Sequence, residues 1–335
     1  MSGQASVDPP RVLLVCREKA IWGEDAAIRR ALARHLSLEE YVVDDRWPDS
    51  AGDLGGLKAF DAVIWFVKFR VMRSKPAFDW AGYEGLRLMY DWDTCQDFSH
   101  IASRNYLGQY PDEFRRHRFD LLVCTGRRTR DHFRAQGIDA EWIPKAADHE
   151  LFRDLGLDRE GLCTYGNPYP SRRVVLNHLG AAGIAVDNVS APLVDLNAAL
   201  NRYLGGLICN AELRMRFRLA DALVRVSRGR IPVLAEGPEP MIKNFEIAAS
   251  GAAPICDELG ELAELGFADG RTAVLYRSLT ELAEKVSSLL ADPVSLRRIG
   301  QNAAELVRTR HTWEARGAEF GSLIRTRLSA VGGQT

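Results

Sequence analysis

The chain has 335 residues, of which 44 are lysine or arginine and 45 are aspartate or glutamate, giving a net charge of -1. This length suits two domains of ordinary size, each able to bury its own core. The balanced charge gives no electrostatic reason to expect binding to nucleic acid or to a membrane surface. Small molecules are therefore the expected ligands.

The cysteines and the N-terminal segment indicate the compartment. The six cysteines form no C-x-x-C pair, and several lie in apolar runs such as residues 12–16. They are expected to be buried small hydrophobic residues in a reducing compartment, not disulfide or zinc ligands. Residues 1–10 lack the apolar core of a signal peptide, and no run of about 18 apolar residues occurs. The expected location is the cytoplasm, and no membrane span is predicted.

Predicted strands and helices alternate through the first 150 residues. A run rich in valine and leucine at residues 11–16 predicts a buried strand, and Ile28, Leu32 and Leu36 predict a helix after it. This alternation predicts right-handed βαβ units and a mostly parallel sheet. Further strands are predicted at residues 41–43, 61–67, 86–90, 119–125 and 141–143, with a helix near 128–136.

A second alternating series follows a polar segment, residues 145–160, that is expected to connect the two halves. The expected fold is therefore α/β with two Rossmann-like domains in one chain. A dehydrogenase is disfavoured because no G-x-G-x-x-G follows the first strand. Strands are predicted at residues 162–165, 184–186, 222–226, 252–256 and 273–276, and helices at 171–179, around 282–289, around 296–306 and from 313 to 328.

The loop at residues 165–173 leaves a predicted strand and enters a predicted helix, which is where open α/β sheets bind ligands. Gly166 would let a ligand approach the backbone, and Ser171 can cap the helix N-terminus. Arg172 and Arg173 could bind a diphosphate bidentately. The alternative is an ordinary strand-to-helix turn with solvated arginines.

A second candidate loop, residues 237–251, starts with prolines and enters a short helix of small residues that Gly251 is suited to close. The helix N-terminus and Lys243 predict an anion site. Glu246 is a carboxylate on an otherwise apolar helix, and the hydroxyls of a ribose are natural partners for it. The alternative is a glutamate that only faces solvent.

Residues 243–252, Lys-Asn-Phe-Glu-Ile-Ala-Ala-Ser-Gly-Ala, resemble a motif of the group 1 retaining glycosyltransferases. The CgeB-like branch of that family shows Arg-x-Phe-Glu-hydrophobic-small-Ala-Cys-Gly at this point. The resemblance covers most of the C-terminal half, whereas the N-terminal half agrees only in architecture. Further matching segments are Gly166 to Arg173, Pro144 to Phe152, Asp257-Glu258, Tyr276-Arg277, Asp292-Pro293 and His311-Thr312-Trp313.

The resemblance implies a GT-B fold, in which two Rossmann-like domains face a central cleft. It implies an acceptor domain over residues 1–155, a donor domain over residues 156–310 and a C-terminal helix, residues 311–335, that crosses back to the first domain. The implied reaction moves a sugar from a nucleoside-diphosphate sugar with retention, without a metal and without a cofactor other than this co-substrate. The acceptor is left open among a polysaccharide, a protein and a small natural product, and no nucleic-acid partner is expected.

Carried onto this sequence, the resemblance implies that Glu246 holds the donor ribose. Arg172 or Arg173, together with Lys243, would neutralise the departing diphosphate. The first glutamate of the family's paired-glutamate motif falls at Pro238, with Glu239 one place further on. The predicted nucleotide-binding residues are Gly166, Asn167, Arg172, Arg173, Lys243, Asn244, Phe245 and Glu246.

The predicted catalytic residues are Asp93, Arg173 and Lys243. Asp93 follows a predicted strand of the first domain and is expected to contact the acceptor or to act as a base, with a helix-capping aspartate as the alternative. Lys68 and Trp22 lie in loops expected at the same edge of the sheet. Tyr276, His311 and Trp313 are assigned to packing.

Two other functions remain open. A sugar-nucleotide 2-epimerase would share the fold, but the sequence offers no recognisable acid and base for it. A degenerate GT-B fold that binds a ligand or a partner protein without turnover is favoured by the proline at position 238.

Overall fold

The computed structural model describes residues 9–17, 23–43, 47–99 and 106–332, so Trp22 and residues 1–8 lie outside the described residues. The chain divides into two compact units. The described residues of Met1–Asp97, Tyr106–Pro144 and Trp313–Thr335 form the first unit. Those of Phe98–Asn105 and Lys145–Thr312 form the second.

The first unit is a parallel sheet of six strands in the order β2-β1-β3-β4-β5-β6, flanked by helices. Its strands are β1 (Arg11–Cys16), β2 (Ser37–Val42), β3 (Ala62–Trp65), β4 (Leu86–Tyr90), β5 (Leu121–Cys124) and β6 (Ala140–Trp142). Its helices are α1 (Gly23–His35), α2 (Phe69–Met72), α3 (Tyr110–Arg116), α4 (Arg127–Arg134) and α12 (Trp313–Gly332), with a 3-10 turn at Thr94–Asp97.

Helix α12 packs in the first unit against α1 and the central strands. Its apolar face buries Trp313, Phe320 and Ile324, and the ring of Trp313 stacks on that of Trp92 at 5.5 Å. Gly317 permits the close approach to α1, because a Cβ there would lie 2.5 Å from the carbonyl oxygen of Ala31. The helix predicted from residue 313 to residue 328 is therefore observed, and it continues to Gly332.

The second unit contains a parallel sheet of five strands in the order β13-β12-β9-β7-β8 and a separate antiparallel pair, β10 and β11. Its strands are β7 (Leu162–Tyr165), β8 (Asp187–Val189), β9 (Gly205–Ile208), β10 (Glu212–Leu213), β11 (Leu234–Ala235), β12 (Ala253–Asp257) and β13 (Val274–Tyr276). Its helices are α5 (Pro170–Ala181), α6 (Leu193–Leu200), α7 (Phe217–Ser227), α8 (Lys243–Ala249), α9 (Gly260–Glu264), α10 (Leu279–Ala291) and α11 (Pro293–Arg310).

The two parallel sheets confirm the predicted α/β class, but some predicted elements are wrong. Residues 222–226, predicted as a strand, belong to α7, where Ala220 and Val224 are buried at helical spacing. The strand expected at residues 184–186 lies three residues later, as β8. Strand β9 was not predicted, because two glycines interrupt its apolar run. All six cysteines are free and buried.

Segment 145–160 packs within the second unit. The buried Arg159 side chain donates hydrogen bonds to the carbonyl oxygen of Ser250 at 2.7 Å and to the side-chain oxygen of Asn201 at 2.6 Å. These contacts attach the segment to the loop after α8 and to the end of α6. Segment 145–160, which is polar in sequence, is therefore fixed in the second unit by buried hydrogen bonds.

Candidate functional site

Polar side chains of the second unit gather at the carboxyl ends of its middle strands. Tyr165 ends β7, Asn210 follows β9 and Asp257 ends β12. These three strands are neighbours or next neighbours in a parallel sheet, so their carboxyl ends share one edge. This is the edge at which α/β sheets bind ligands.

Three predicted site residues meet at Tyr165. Its hydroxyl hydrogen-bonds to Oε2 of Glu246, and the Lys243 ammonium lies 4.7 Å from the centroid of its ring. Gly166 has a positive φ of 71°, and a Cβ at this residue would lie 3.4 Å from Lys243 Nζ. The structure therefore brings Gly166, Lys243 and Glu246 together around one aromatic ring.

The Glu246 carboxyl is buried, and its pKa is raised overall from its usual value. Burial raises its pKa, the hydrogen bond from Tyr165 and the charge of Lys243 lower it, and the charge of Asp148 raises it again. When ionised, this carboxylate accepts hydrogen bonds and donates none, which suits the recognition of hydroxyl groups. Sequence reasoning missed both Tyr165 and Asp148 as its neighbours.

Arg172 is buried and bonded to the loop that precedes its helix. Its Nη1 donates to the carbonyl oxygens of Tyr165 at 2.7 Å and Gly166 at 3.2 Å, and the residue is only 1% exposed. Its Nε and Nη2 are buried without a hydrogen-bond partner among the described residues. The guanidinium therefore holds the β7–α5 loop through two carbonyl oxygens, and of the two arginines predicted to neutralise the diphosphate Arg172 is the buried one.

The start of α5 also differs from the prediction. The helix begins at Pro170, and the capping position before it is Tyr169, which makes no side-chain cap, so Ser171 is not the N-cap. Arg173 is exposed, and its guanidinium lies 4.7 Å from the centroid of the Phe217 ring. Asn167 is exposed in the same loop.

A buried hydrogen-bond network fixes the start of α8. Asn210 Oδ1 accepts from the backbone N–H of Met241 at 2.9 Å and from Nδ2 of Asn244 at 2.8 Å. The backbone N–H of Asn210 donates to Oδ1 of Asp257 at 2.6 Å. Asn244 was predicted to contact the nucleotide, but its side chain is fully buried in this network. Its observed contacts position the loop that carries Lys243.

Phe245 was also predicted to contact the nucleotide, and it lies in the core. Its fully buried ring packs against the rings of Phe267 at 5.8 Å and His311 at 5.5 Å. This packing holds the inner face of α8, a helix of seven residues, against the C-terminal part of the unit. Gly251, with a φ of 80°, follows the end of the helix as predicted.

Glu239, one place after Pro238, is buried and forms an ion pair with Lys145. Both residues belong to the second unit. A carboxylate is therefore present beside the position at which the family pattern has a glutamate, and a lysine from segment 145–160 compensates its charge.

Asp257 is expected to make the second unit less stable as the pH rises. Burial raises the pKa of its carboxyl from 3.8 to about 7, against the effect of hydrogen bonds from backbone N–H groups that include that of Asn210. The folded state therefore keeps a proton that the unfolded state loses over this interval. The corresponding stability is fully present below pH 3.8 and is lost as the pH rises through about 7.

The Asp257→Asn variant tests this expectation, because the amide cannot titrate. Its stability relative to wild type is expected to increase between about pH 5 and about pH 8. All seven tryptophans lie outside residues 145–312, so the measurement is hydrogen exchange in β9 and β12, corrected for the intrinsic exchange rate at each pH. A difference between the two proteins that does not change with pH would contradict the assignment.

The first unit has its own polar cluster at the carboxyl ends of its strands. Lys68 Nζ donates to Oδ2 of Asp93 at 2.8 Å. The buried Asp91 accepts hydrogen bonds from the Tyr110 hydroxyl and the backbone N–H of Phe69, both at 3.0 Å. The aspartate that organises this turn is therefore Asp91, and the Asp93 side chain remains 45% exposed.

Asp25, in the first turn of α1, is a third carboxyl of this cluster that sequence reasoning missed. Burial raises its pKa to about 6, the charge of Lys68 lowers it, and the charge of Asp91 raises it. The signal that could have indicated it is its place shortly after β1, where a loop enters a helix.

The family match lies mainly in the second unit and extends into the start of α12. Residues 165–321 match the family model described as "Glycosyl transferase-like". The matched segment begins at Tyr165 and contains both Lys243 and Glu246. No curated protein matches the chain.

Solved structures resemble the chain over nearly its whole length. Sucrose-phosphate synthase from Thermosynechococcus elongatus is 15% identical with a TM-score of 0.54, over 96% of this chain and 100% of that one. HepE from Anabaena, solved with UDP and glucose, is 10% identical with a TM-score of 0.52, over 94% and 99%. AviGT4, a glycosyltransferase involved in avilamycin A biosynthesis, is 14% identical with a TM-score of 0.51, over 96% and 98%. The chain has the two-domain α/β fold of the GT-B glycosyltransferases.

Proposed function

We propose that this protein transfers a sugar from a nucleoside-diphosphate sugar to an acceptor and that its second unit binds the donor. The observation that carries the proposal is the buried Glu246 carboxyl at the carboxyl edge of a parallel sheet, which hydrogen-bonds to the Tyr165 hydroxyl and whose pKa the charge of Lys243 lowers. The match to a glycosyltransferase-like family covers this segment. Among the similar folds, HepE was solved with UDP and glucose.

The donor-site residues have distinct proposed roles. Glu246 accepts hydrogen bonds from the ribose hydroxyls, and Lys243 neutralises the diphosphate as it departs. Gly166, with no Cβ and a positive φ, lets a phosphate approach the backbone of the loop. A lysine offers a point charge where the family pattern has the forked guanidinium of arginine.

Arg173 is the second proposed cation, together with Asn167 in the same exposed loop. To contact the diphosphate, Arg173 would turn away from the Phe217 ring on which it stacks. Arg172 contributes indirectly by holding the carbonyls of Tyr165 and Gly166. These cations supply the charge compensation that a divalent ion supplies in other enzymes, so we propose a reaction without a metal or a further cofactor.

The proposed stereochemical outcome is retention, in line with the resemblance of residues 243–252 to the group 1 and CgeB-like enzymes. Attack from the side of the leaving group is compatible with this outcome, and we assign no protein nucleophile. The proposed location is the cytoplasm.

The acceptor is proposed to bind the first unit, with Asp93 as its contact or as the base. Asp93 pairs with Lys68, and its carboxylate oxygens can accept a hydrogen bond from an acceptor hydroxyl. Asp25 is a further carboxyl beside Lys68. The acceptor class is a polysaccharide, a protein or a small natural product.

Release of nucleoside diphosphate tests the proposed activity. The protein is incubated with UDP-, GDP-, dTDP- and ADP-sugars, with water and with candidate acceptors, and the liberated nucleotide is measured. Release from one donor class is expected, with a large reduction in Lys243→Ala and no change in Lys285→Ala, a lysine of α10 that pairs with Asp269.

The second candidate function is a GT-B fold that binds without turnover, which the proline at position 238 favours. Binding of one nucleotide sugar without nucleotide release under any of these conditions would support it. That outcome would contradict the proposed transferase.

A further inference from the structure

The segment around α7 concentrates positive charge. Residues 214–230 contain six arginines and a single acidic residue, Asp221, although the whole chain has a net charge of -1. All six arginines are exposed. The Asp221 side chain is only 15% exposed, and it is engaged by Arg225 and by Asn177 of α5. The surface around α7 therefore has a strong excess of positive charge.

The exposed face of α7 is apolar along its centre. The helix buries Ala220 and Val224. On the opposite face Leu219, Ala222 and Val226, spaced i, i+3 and i+7, form what we call the α7 ridge. Val226 is 87% exposed and Leu219 is 54% exposed. The arginines of α7 stand beside these aliphatic side chains on the same exposed side of the helix.

Basic residues combined with exposed aliphatic ones favour one class of partner. A helix of this kind suits the interface of an anionic membrane, where arginines contact lipid headgroups and aliphatic side chains enter the acyl boundary. Nucleic acid would use the arginines but not Leu219 or Val226. The neighbouring groove of about 560 Å³ between α5, α7 and α10 has no comparable excess of positive charge, since Asp221 and Glu284 line it together with Arg225 and Arg228.

We propose that the α7 ridge attaches this protein to membrane surfaces that contain anionic lipids. Arg216, Arg218 and Arg225 would contact the headgroups, and Leu219 and Val226 would insert between them. Within residues 9–17, 23–43, 47–99 and 106–332, no helix combines the length and apolar character needed to cross a bilayer. The proposed attachment is peripheral and reversible.

Co-sedimentation with vesicles tests the proposal. Wild type is expected to bind vesicles made of equal parts phosphatidylcholine and phosphatidylglycerol, but not vesicles of phosphatidylcholine alone, and added salt should weaken the binding. Leu219→Ser/Val226→Ser and Arg216→Glu/Arg218→Glu are each expected to reduce partitioning about tenfold or more. The glutamates stand at the N-terminus of α7, where the helix dipole favours negative charge, so folding should be preserved.

Matched controls lie elsewhere in the second unit. Val194→Ser removes an aliphatic side chain that is 77% exposed on α6, and Arg297→Glu/Arg298→Glu reverses two charges on α11. Both are expected to bind vesicles like wild type. Nucleotide binding should be unchanged in Leu219→Ser/Val226→Ser, because neither residue belongs to the proposed donor site, so failure of this proposal is distinguishable from failure of the proposed donor site.

Three results would overturn the proposal. The first is no binding to the anionic vesicles, and the second is equal binding to vesicles of phosphatidylcholine alone. The third is that Leu219→Ser/Val226→Ser and Arg216→Glu/Arg218→Glu both bind vesicles like wild type. Binding of polyuridylate that depends on the arginines but not on Leu219 and Val226, without vesicle binding, would assign the surface to nucleic acid.

Discussion

Replacement of Glu246 by alanine is expected to weaken binding of the preferred nucleoside diphosphate by about 1–3 kcal/mol, the value of a lost hydrogen bond to a charged group. The carboxylate is already buried and oriented by Tyr165, so the ligand meets an acceptor that needs little reorganisation. Titration calorimetry of wild type and variant gives the difference directly.

Companion variants separate loss of the contact from loss of structure. Glu246→Gln keeps the volume and removes the charge, so its affinity should fall between those of wild type and Glu246→Ala. Tyr165→Phe removes the hydroxyl that bonds to Glu246 and should have a smaller effect than Glu246→Ala. Glu305→Ala, an exposed glutamate on α11 that pairs with Arg308, is the control and should bind like wild type.

Unchanged affinity in a folded Glu246→Ala protein would contradict the assignment of this carboxylate to the donor. Equal losses in Glu246→Ala and Glu305→Ala would also contradict it, since a general effect on the second unit would then explain both.

The Gly300→Ala variant is expected to destabilise the second unit by about 1–3 kcal/mol or more through overpacking. In an unconstrained helix the same change stabilises by up to about 1 kcal/mol. Here the new Cβ would lie 2.2 Å from the carbonyl oxygen of Gly251 and 3.0 Å from the backbone nitrogen of Ala253. Both are backbone atoms between α8 and β12, which cannot rotate away.

Gly180→Ala on α5 is the matched control, because no atom lies within 4 Å of the position that a Cβ would occupy there. It is expected to stabilise by about 0.5–1 kcal/mol. Hydrogen exchange in β9 and β12 measures both variants. Because Gly251 follows α8, Gly300→Ala should also weaken nucleotide binding. Stabilisation by Gly300→Ala would show that α11 does not approach Gly251 as closely as described.

The strands that the sequence located well are short, mostly apolar segments with clear boundaries. Strands β4 and β7 match their predicted ranges, because Gly85 and Asp91 bound the first and Gly161 and Gly166 bound the second. Strand β9 was missed because Gly205 and Gly206 open it. Gly206 is required by tertiary packing, since a Cβ there would lie 2.6 Å from Ile247 of α8. That contact cannot be read from either segment alone.

In the candidate site, too, contacts between segments that are distant in sequence could not be predicted. Lys243 and Glu246 were predicted because a short apolar helix carries them, whereas Tyr165 and Asp148 belong to other segments and meet Glu246 only through the fold. The burial of Arg172, in contrast, could have been predicted from the sequence. It shares one helical face with Val175 and Leu179, at spacing i, i+3 and i+7, and that face is buried.

The positive charge and the exposed apolar residues of α7 were not predicted from the sequence, for a different reason. The net charge of -1 is a sum over the whole chain, so it does not show the local excess of arginine in residues 214–230. The apolar run at residues 222–226 was interpreted as a strand, and only the helix reveals that Ala222 and Val226 face outward while Val224 is buried.

Calorimetric titration of wild-type protein with UDP, GDP, dTDP and ADP tests the central claim most directly. We expect that one of these nucleotides binds selectively, that binding persists when metal ions are chelated, and that it weakens in Glu246→Ala. If none of the four binds to the folded protein, the second unit is not a nucleoside-diphosphate site, and the proposed function is wrong.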